Sequence, residues 1–584
     1  MPSIAGLKSI AVEPATQTLT INGTTPVQGT YKATGTFTDG HTEDVTARVT
    51  FNVADGSLGG FQAATFTSFT ARGGATTVLA TAGDVVGLGN LTILLVERAS
   101  DPASSLPANP ETKFAGAAST DPARAPSLVY PNDGVVVPPN LGQLEIHFLP
   151  GAGNTLFELA FETPFTDVKV YARCAAPMNG GCIYTPTAQV WSWIAESNRG
   201  GAPVAVSLRA TDDAGSAVAS SANAVKVAIS EDDIQGGLYY WTTSGATAIM
   251  RFDFAGTKTQ AEKFVGPEAA GGQCVGCHAL SPDGHKLVAE AGGQDSGAVL
   301  LLDVATAKPM VPFDSTPKST FESWEPSGAR FVGVYGDAGA TDFNLRLFDG
   351  SSGVLLGSIG GTGTQANPAD HPDWSADGKS IAYVKVGWPN TLQRMSMGAI
   401  EVVHAVDAGW SQPIEIVPAQ SGKNRYYPAF SPDGSFLVFD ESTCSSGDRG
   451  DDCDADTDPT ATLFAVEAQA GAQPIALMHA NSPGVSDGGT ALTNSFPKWS
   501  PFVFTRSHGE AGTTRVEWLT FSSSRSYGLR GSPSGMWLWM VAIDPDRVAQ
   551  GSDPSFAAFA LPFQDLSTSN HIAQWTQAVV PAIQ

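Results

Sequence analysis

Tyr427-Pro-Ala-Phe430-Ser-Pro-Asp-Gly434 runs straight into the apolar stretch Phe436-Leu-Val-Phe439, and versions of the same figure recur through the second half of the chain. They are Cys277-His-Ala-Leu280-Ser-Pro-Asp-Gly284, Phe321-Glu-Ser-Trp324-Glu-Pro-Ser-Gly328, His371-Pro-Asp-Trp374-Ser-Ala-Asp-Gly378 and Phe496-Pro-Lys-Trp499-Ser500-Pro501. Pro presets φ and Gly accepts positive φ, so each Pro-Asp-Gly reads as a tight turn between two strands. The residue after the large apolar one falls at 281, 325, 375, 431 and 500, giving intervals of 44, 50, 56 and 69. A repeat of that length built of short strands predicts the blades of a β-propeller. Asn570-His571-Ile-Ala-Gln-Trp575 puts a Trp in the same slot once more, with no further blade after it. Leu238-Tyr-Tyr-Trp241 and Ile249-Met-Arg-Phe252 supply strands that have no inner one. The economical solution is a six-bladed propeller over 232–584, closed when the C-terminal strand joins the N-terminal blade and removes the exposed sheet edges.

The Trp/Phe-Ser-Pro-Asp-Gly repeat resembles the blades of TolB-like propellers, a resemblance that implies the aromatic packs between blades. Upstream, residues 1–97 alternate apolar and polar side chains in short runs punctuated by Gly, Asp and Thr, which predicts a β-sandwich. Within them, Gly35-Thr-Phe37-Thr-Asp39-Gly40-His41-Thr-Glu-Asp44-Val45-Thr46 resembles the bacterial immunoglobulin-like domains of group 2, which implies a spacer or adhesion module without chemistry of its own. Residues 98–126 are rich in Pro, Ala and Ser without periodicity and read as a linker. From 127 to 231 the strand pattern resumes, as in Val168-Lys-Val170-Tyr171, and a second sandwich similar to immunoglobulin or fibronectin type III domains is expected. The expected fold class is therefore all-β: two immunoglobulin-like sandwiches, then the propeller.

With 57 acidic against 32 basic residues, the 584-residue chain carries a formal charge of −25. Nucleic acid or an anionic membrane held by electrostatics is excluded as a partner. The longest apolar runs, such as Val299-Leu-Leu-Leu302, fall far short of a membrane span. All six cysteines form close pairs in sequence: Cys174/Cys182, Cys274/Cys277 and Cys444/Cys453. Local pairing of this kind suggests an oxidising compartment. An exported protein is expected, periplasmic, cell-surface or extracellular, whose signal segment is absent from the sequence as it stands. Cys174 with Cys182 and Cys444 with Cys453 read as loop disulfides.

Cys274-Val-Gly-Cys277-His278 carries the chemistry, because Cys-x-x-Cys-His is the attachment signature of c-type haem. Two thiols form thioethers to the porphyrin and the adjacent imidazole, His278, ligates the iron from the proximal side. A Cys274–Cys277 disulfide, a zinc site and a thioredoxin-type pair are the competing readings. For the distal side, His371 and His571 start inner strands of blades, and Met395 and Met397 fall in a loop expected on the same face. A Met would raise the potential relative to a second His. If the distal side is open, peroxidase-like or small-ligand chemistry follows instead of electron transfer.

The loop opening at Cys444 carries Asp448, Asp451, Asp452, Asp454, Asp456 and Asp458 within eleven residues. Carboxylates in alternation build calcium loops, which makes Asp448, Asp452, Asp454 and Asp456 calcium candidates, although the spacing lacks the usual Gly and terminal Glu. The competing reading is a solvated acidic loop stapled by Cys444–Cys453. No nucleophile elbow, phosphate-cradling loop or dinucleotide fingerprint accompanies the propeller. The expected function is electron transfer by one covalent haem to a redox partner protein. The alternative is a non-catalytic surface module whose propeller binds a protein, peptide or glycan.

Overall fold

A computed structural model describes residues 3–581 except 23–24, 244–246, 294–295, 336–338, 388–396, 408, 444–457, 486, 488–491 and 510–511. The chain divides into two compact units, residues 1–134 with 138–231, and residues 135–137 with 232–584.

The first unit is built mainly on one extended sheet. Its central strand, Val85–Ser100, pairs antiparallel with Gly74–Ala82 and parallel with both Thr16–Asn22 and Thr166–Ala172. That strand runs past residue 97, and the stretch after it holds two short 3₁₀ turns, Pro110–Ala115 and Pro122–Arg124. A disulfide joins Cys174 to Cys182, as expected for the loop that leads into the strand Cys182–Tyr184. The strand pattern of 127–231 is interrupted by one helix, Ala188–Ser197. Thr187 caps it by accepting a hydrogen bond from the Val190 amide at 3.3 Å, and Val190, Trp191, Ile194 and Ala195 bury one face at helical spacing.

The second unit is a propeller of six sheets, each read outward from an inner strand. The inner strands are Val275–Leu280 in blade 2, Thr320–Trp324 in blade 3, Ala369–Trp374 in blade 4, Asn424–Phe430 in blade 5 and Ser495–Gly509 in blade 6. Blade 1 takes its inner strand from the far end of the chain, Asn570–Thr576, which pairs antiparallel with Gly237–Thr242 from Gly237 opposite Thr576 to Thr242 opposite Asn570. The ring is closed as the repeat predicts.

Each element of the repeat has a visible task. Gly284, Gly328, Gly378 and Gly434 take φ between 66° and 77° at the turns. Ahead of them, the hydroxyls of Ser281, Ser375 and Ser431 donate to Asp283, Asp377 and Asp433 at 2.6, 2.7 and 2.9 Å and accept an amide from the next strand. The tryptophans stitch blades together. Trp324 Nε1 donates to the Ala279 carbonyl of the preceding blade at 3.0 Å, and Trp499 Nε1 to that of Ala429 at 3.1 Å. Trp324 is buried against Val288, Val299, Phe331 and Phe348, so the aromatic fills the gap between neighbouring sheets.

Candidate functional site

Three residues before the large apolar slot, every inner strand breaks its ladder. The non-glycine residues Cys277, Phe321, His371, Tyr427, Phe496 and Ile572 all have positive φ, between 39° and 54°. The pairing register shifts around this position on each inner strand of blades 2 to 6, and on its partner strand in blade 1. Such a bulge re-aims a side chain, and here all six line one cavity in the propeller channel. Four of them form a continuous aromatic arc, with ring centroids 4.3 Å apart for Phe321 and His371, 4.0 Å for His371 and Tyr427, and 4.3 Å for Tyr427 and Phe496. Positive φ in six bulky residues stores strain of about 1 kcal/mol or more at each, which surrounding packing has to hold. The signal for it was present in the sequence. Pro372, Pro428 and Pro497 sit in inner strands, and a proline inside a sheet is confined to edges and bulges.

The channel cavity is small, about 40 Å³, and its polar wall comes from His278, Glu322, His371, Lys498 and Gln574. Burial drives the His278 imidazole down to about 4 against the opposing effect of the nearby Tyr239 backbone, and neither ring nitrogen has a partner within hydrogen-bond distance. His371 is held well below its usual value, first by burial and then by the charge of Lys498, and its two ring nitrogens also lack hydrogen-bond partners. Both imidazoles are neutral at physiological pH. Burial pushes Glu322 up to about 7 against the opposing effect of the Ser319 hydroxyl, and neither carboxyl oxygen has a partner within hydrogen-bond distance. Lys498 reaches Asp373 at 3.3 Å, and the other oxygen of Asp373 accepts the Phe430 amide at 2.9 Å.

A second cavity of about 330 Å³ lies on the other side of the ring and is lined by Trp241, Thr243, Cys274, Cys277, Glu290 and His571, among others. Cys277, Phe496 and Ile572 belong to both cavities and separate them. Gly276 is required by close approach, because a Cβ there would stand 2.7 Å from the Trp241 indole. Cys274 and Cys277 are both half-buried on this cavity.

The structure thus brings Cys274 and Cys277 to one cavity, and Cys277, His278 and His371 to the other. His571 lines the outer cavity and its Nε2 pairs with the Ser569 hydroxyl at 2.7 Å, its ring 5.9 Å from Trp241. Met397 is half-buried and lines neither cavity. Met395, Cys444, Cys453, Asp448, Asp452, Asp454 and Asp456 lie outside the described residues, which leaves the calcium reading and the second loop disulfide as expectations only. Among the described residues, no three His, Cys, Asp or Glu side chains are grouped to hold a metal ion by themselves. Glu322 and Lys498 escaped the sequence reading, since they occupy positions where the repeat copies differ from one another and only the bulged ring brings them to the histidines.

Six bladed sheets closed by the C-terminal strand define a β-propeller protein, and its polar centre is the channel beneath the bulged ring. Among solved structures the chain is similar to TolB from Acinetobacter baumannii, at 11% identity over 65% of this chain and 80% of that one, TM-score 0.36. It is also similar to a putative TolB from Agrobacterium tumefaciens, at 13% identity over 59% of this chain and 99% of that one, TM-score 0.32. A third likeness is to the dihydro-haem d1 dehydrogenase NirN, at 13% identity over 76% and 74%, TM-score 0.27. Scores this low carry no argument about chemistry, and the propeller assignment rests on the sheet order itself. No family model and no curated protein sequence matches the chain.

Proposed function

We propose that this protein is an exported c-type haem protein that transfers electrons, with Cys274 and Cys277 holding the haem at the mouth of the propeller. The observation that carries the reading is the pair of buried, neutral imidazoles of His278 and His371, which have no hydrogen-bond partner and share a cavity with Cys277. Unsatisfied buried polar groups call for a guest. Neutral imidazole is the ligating form, and thiols beside it on a second cavity complete the donor set of a covalent haem. The residues fit the group chemically. His278 is the proximal ligand in this reading and His371 the preferred distal one, because His571 is already engaged by Ser569 and Met397 lies away from both cavities.

A bound haem would supply one-electron redox chemistry. What the chain contributes is the setting. Burial holds both imidazoles deprotonated, the arc from Phe321 to Phe496 excludes water on one side, and the bulges point these side chains inward. Two histidines would set a lower potential than a histidine and a methionine. The formal charge of −25 favours a redox partner with a basic docking face. The Cys174–Cys182 disulfide is compatible with export, and no helix among the described residues is long and apolar enough to cross a membrane.

Expression beside c-haem maturation machinery tests the proposal. The expected result is a covalent mass addition of one haem and a reduced-minus-oxidised α band, both lost in Cys274→Ser/Cys277→Ser. His371→Ala should open the sixth position to added imidazole. Absence of covalent haem, with a Cys274–Cys277 disulfide found by mass spectrometry, would replace this reading with that of a surface binding module.

A further inference from the structure

Beside the polar layer the channel widens again into a bowl of about 160 Å³. Its collar is the repeat's apolar slot seen from inside, with Trp324, Trp374, Phe430, Trp499 and Trp575 coming from five successive blades. Glu322 lines both this bowl and the cavity beside it. Its side chain is buried with the Ser319 hydroxyl nearby and no partner within hydrogen-bond distance of either oxygen, whereas the other carboxylate of the bowl, Asp373, is taken by Lys498, which also lines the bowl, and by the Phe430 amide.

A buried carboxyl group in a bowl whose remaining wall is largely aromatic, and whose one lysine, Lys498, is already paired with Asp373, suits a positive charge with an apolar surface. Carboxylate and indole quadrupole attract the same ion. A metal ion would need several oxygen or nitrogen donors converging, and among the described residues no such group exists. An organic cation needs only one counter-charge and aromatic walls. The strongly acidic chain raises the local concentration of cations.

We propose that this bowl of the channel binds a small organic ammonium ion, its charge on Glu322 and its carbon atoms against the aromatic collar. Glu322 borders the histidine cavity, but the bowl's own lining includes none of Cys274, Cys277, His278 and His371, so either reading can fail alone. Calorimetric titration of the full-length protein with n-butylammonium and with tetramethylammonium, at constant ionic strength, tests it. Saturable binding of at least one of them is expected, weakened tenfold or more in Glu322→Gln, with acetate giving no heat. The Cys274→Ser/Cys277→Ser protein should bind the same ion with unchanged affinity. Should Glu322→Gln fail to fold, Gln574→Glu replaces it, since a second carboxyl group in the bowl must tighten binding several-fold. No saturable binding of either ion, equal affinity in Glu322→Gln or Gln574→Glu, or binding of acetate in place of the cation would overturn the proposal.

Discussion

Replacing Glu517 by Gln should flatten much of the alkaline loss of stability in this protein. Glu517 sits in the strand Gly512–Ser523 of blade 6, fully buried, with no hydrogen-bond partner for either oxygen. Burial raises it to about 8 from 4.5; Asp433 and Asp546 push the same way and Arg515 opposes them. The folded protein therefore holds this proton more tightly than the unfolded chain. Below pH 4.5 both states are protonated and the residue carries no penalty. As pH rises from 4.5 to about 8 the unfolded chain gains by ionising, so stability falls across that window and stays low above it. Each unit of difference is worth about 1.4 kcal/mol, which makes the loss between pH 5 and pH 8.5 roughly 4 kcal/mol. Urea unfolding at the two pH values, followed by the fluorescence of Trp518, Trp537 and Trp539 in the same blade, measures it. Titrations common to both proteins, including that of Glu322 toward about 7, cancel when wild type is compared with Glu517→Gln. Equal pH dependence in the two proteins would refute the argument, because it would mean the carboxyl group ionises without hindrance where it sits.

Two further outcomes follow from the propeller. Arg525 is fully buried, donating to the carbonyl of Ala480 at 2.8 Å and to Asn494 Oδ1 at 2.9 Å, with the rings of Phe521 and Trp539 5.2 and 5.1 Å from its guanidinium carbon. Arg525→Met leaves the buried Ala480 carbonyl without this donor, Asn494 Oδ1 with only the Ser523 hydroxyl, and the Phe521 and Trp539 rings without their cation, and should destabilise by about 3 kcal/mol, read as a drop in the urea midpoint; a loss below about 1 kcal/mol would contradict this account. Truncation after Ser569 removes the inner strand of blade 1 and leaves Gly237–Thr242 as an exposed edge. The truncated chain should self-associate in sedimentation velocity and bind hydrophobic dye, whereas a monomeric, cooperatively unfolding product would show that closure is dispensable.

The propeller was legible because its signal is local and repeated. Pro-Asp-Gly must turn, the runs on either side alternate as strands, and a fixed spacing turns one blade into six. Even the closure at Trp575 could be read, since a slot without following strands and strands without a slot complete each other. The helix Ala188–Ser197 was missed amid strands, although Thr187 caps it and Val190, Trp191, Ile194 and Ala195 lie on one face. Ten residues of helical spacing inside a β pattern are a weak signal beside longer runs of alternation.

The site divides along the same line. Cys274, Cys277 and His278 lie within five residues, so the sequence alone brought them forward as a candidate haem motif, and His371 followed from its repeat slot. Glu322, Lys498 and the aromatic arc come from blades 3 to 6 and are strangers in sequence. Their meeting depends on six bulges that turn ladder positions toward one axis, and on closure by a strand more than three hundred residues away from its partner. Local residue types determined the turns, the strands and the haem motif, because those act over a few bonds. Burial determined the rest: which imidazoles stay neutral, which carboxyl group keeps its proton, and which histidine is left without a partner are decided only when the ring closes and water is excluded.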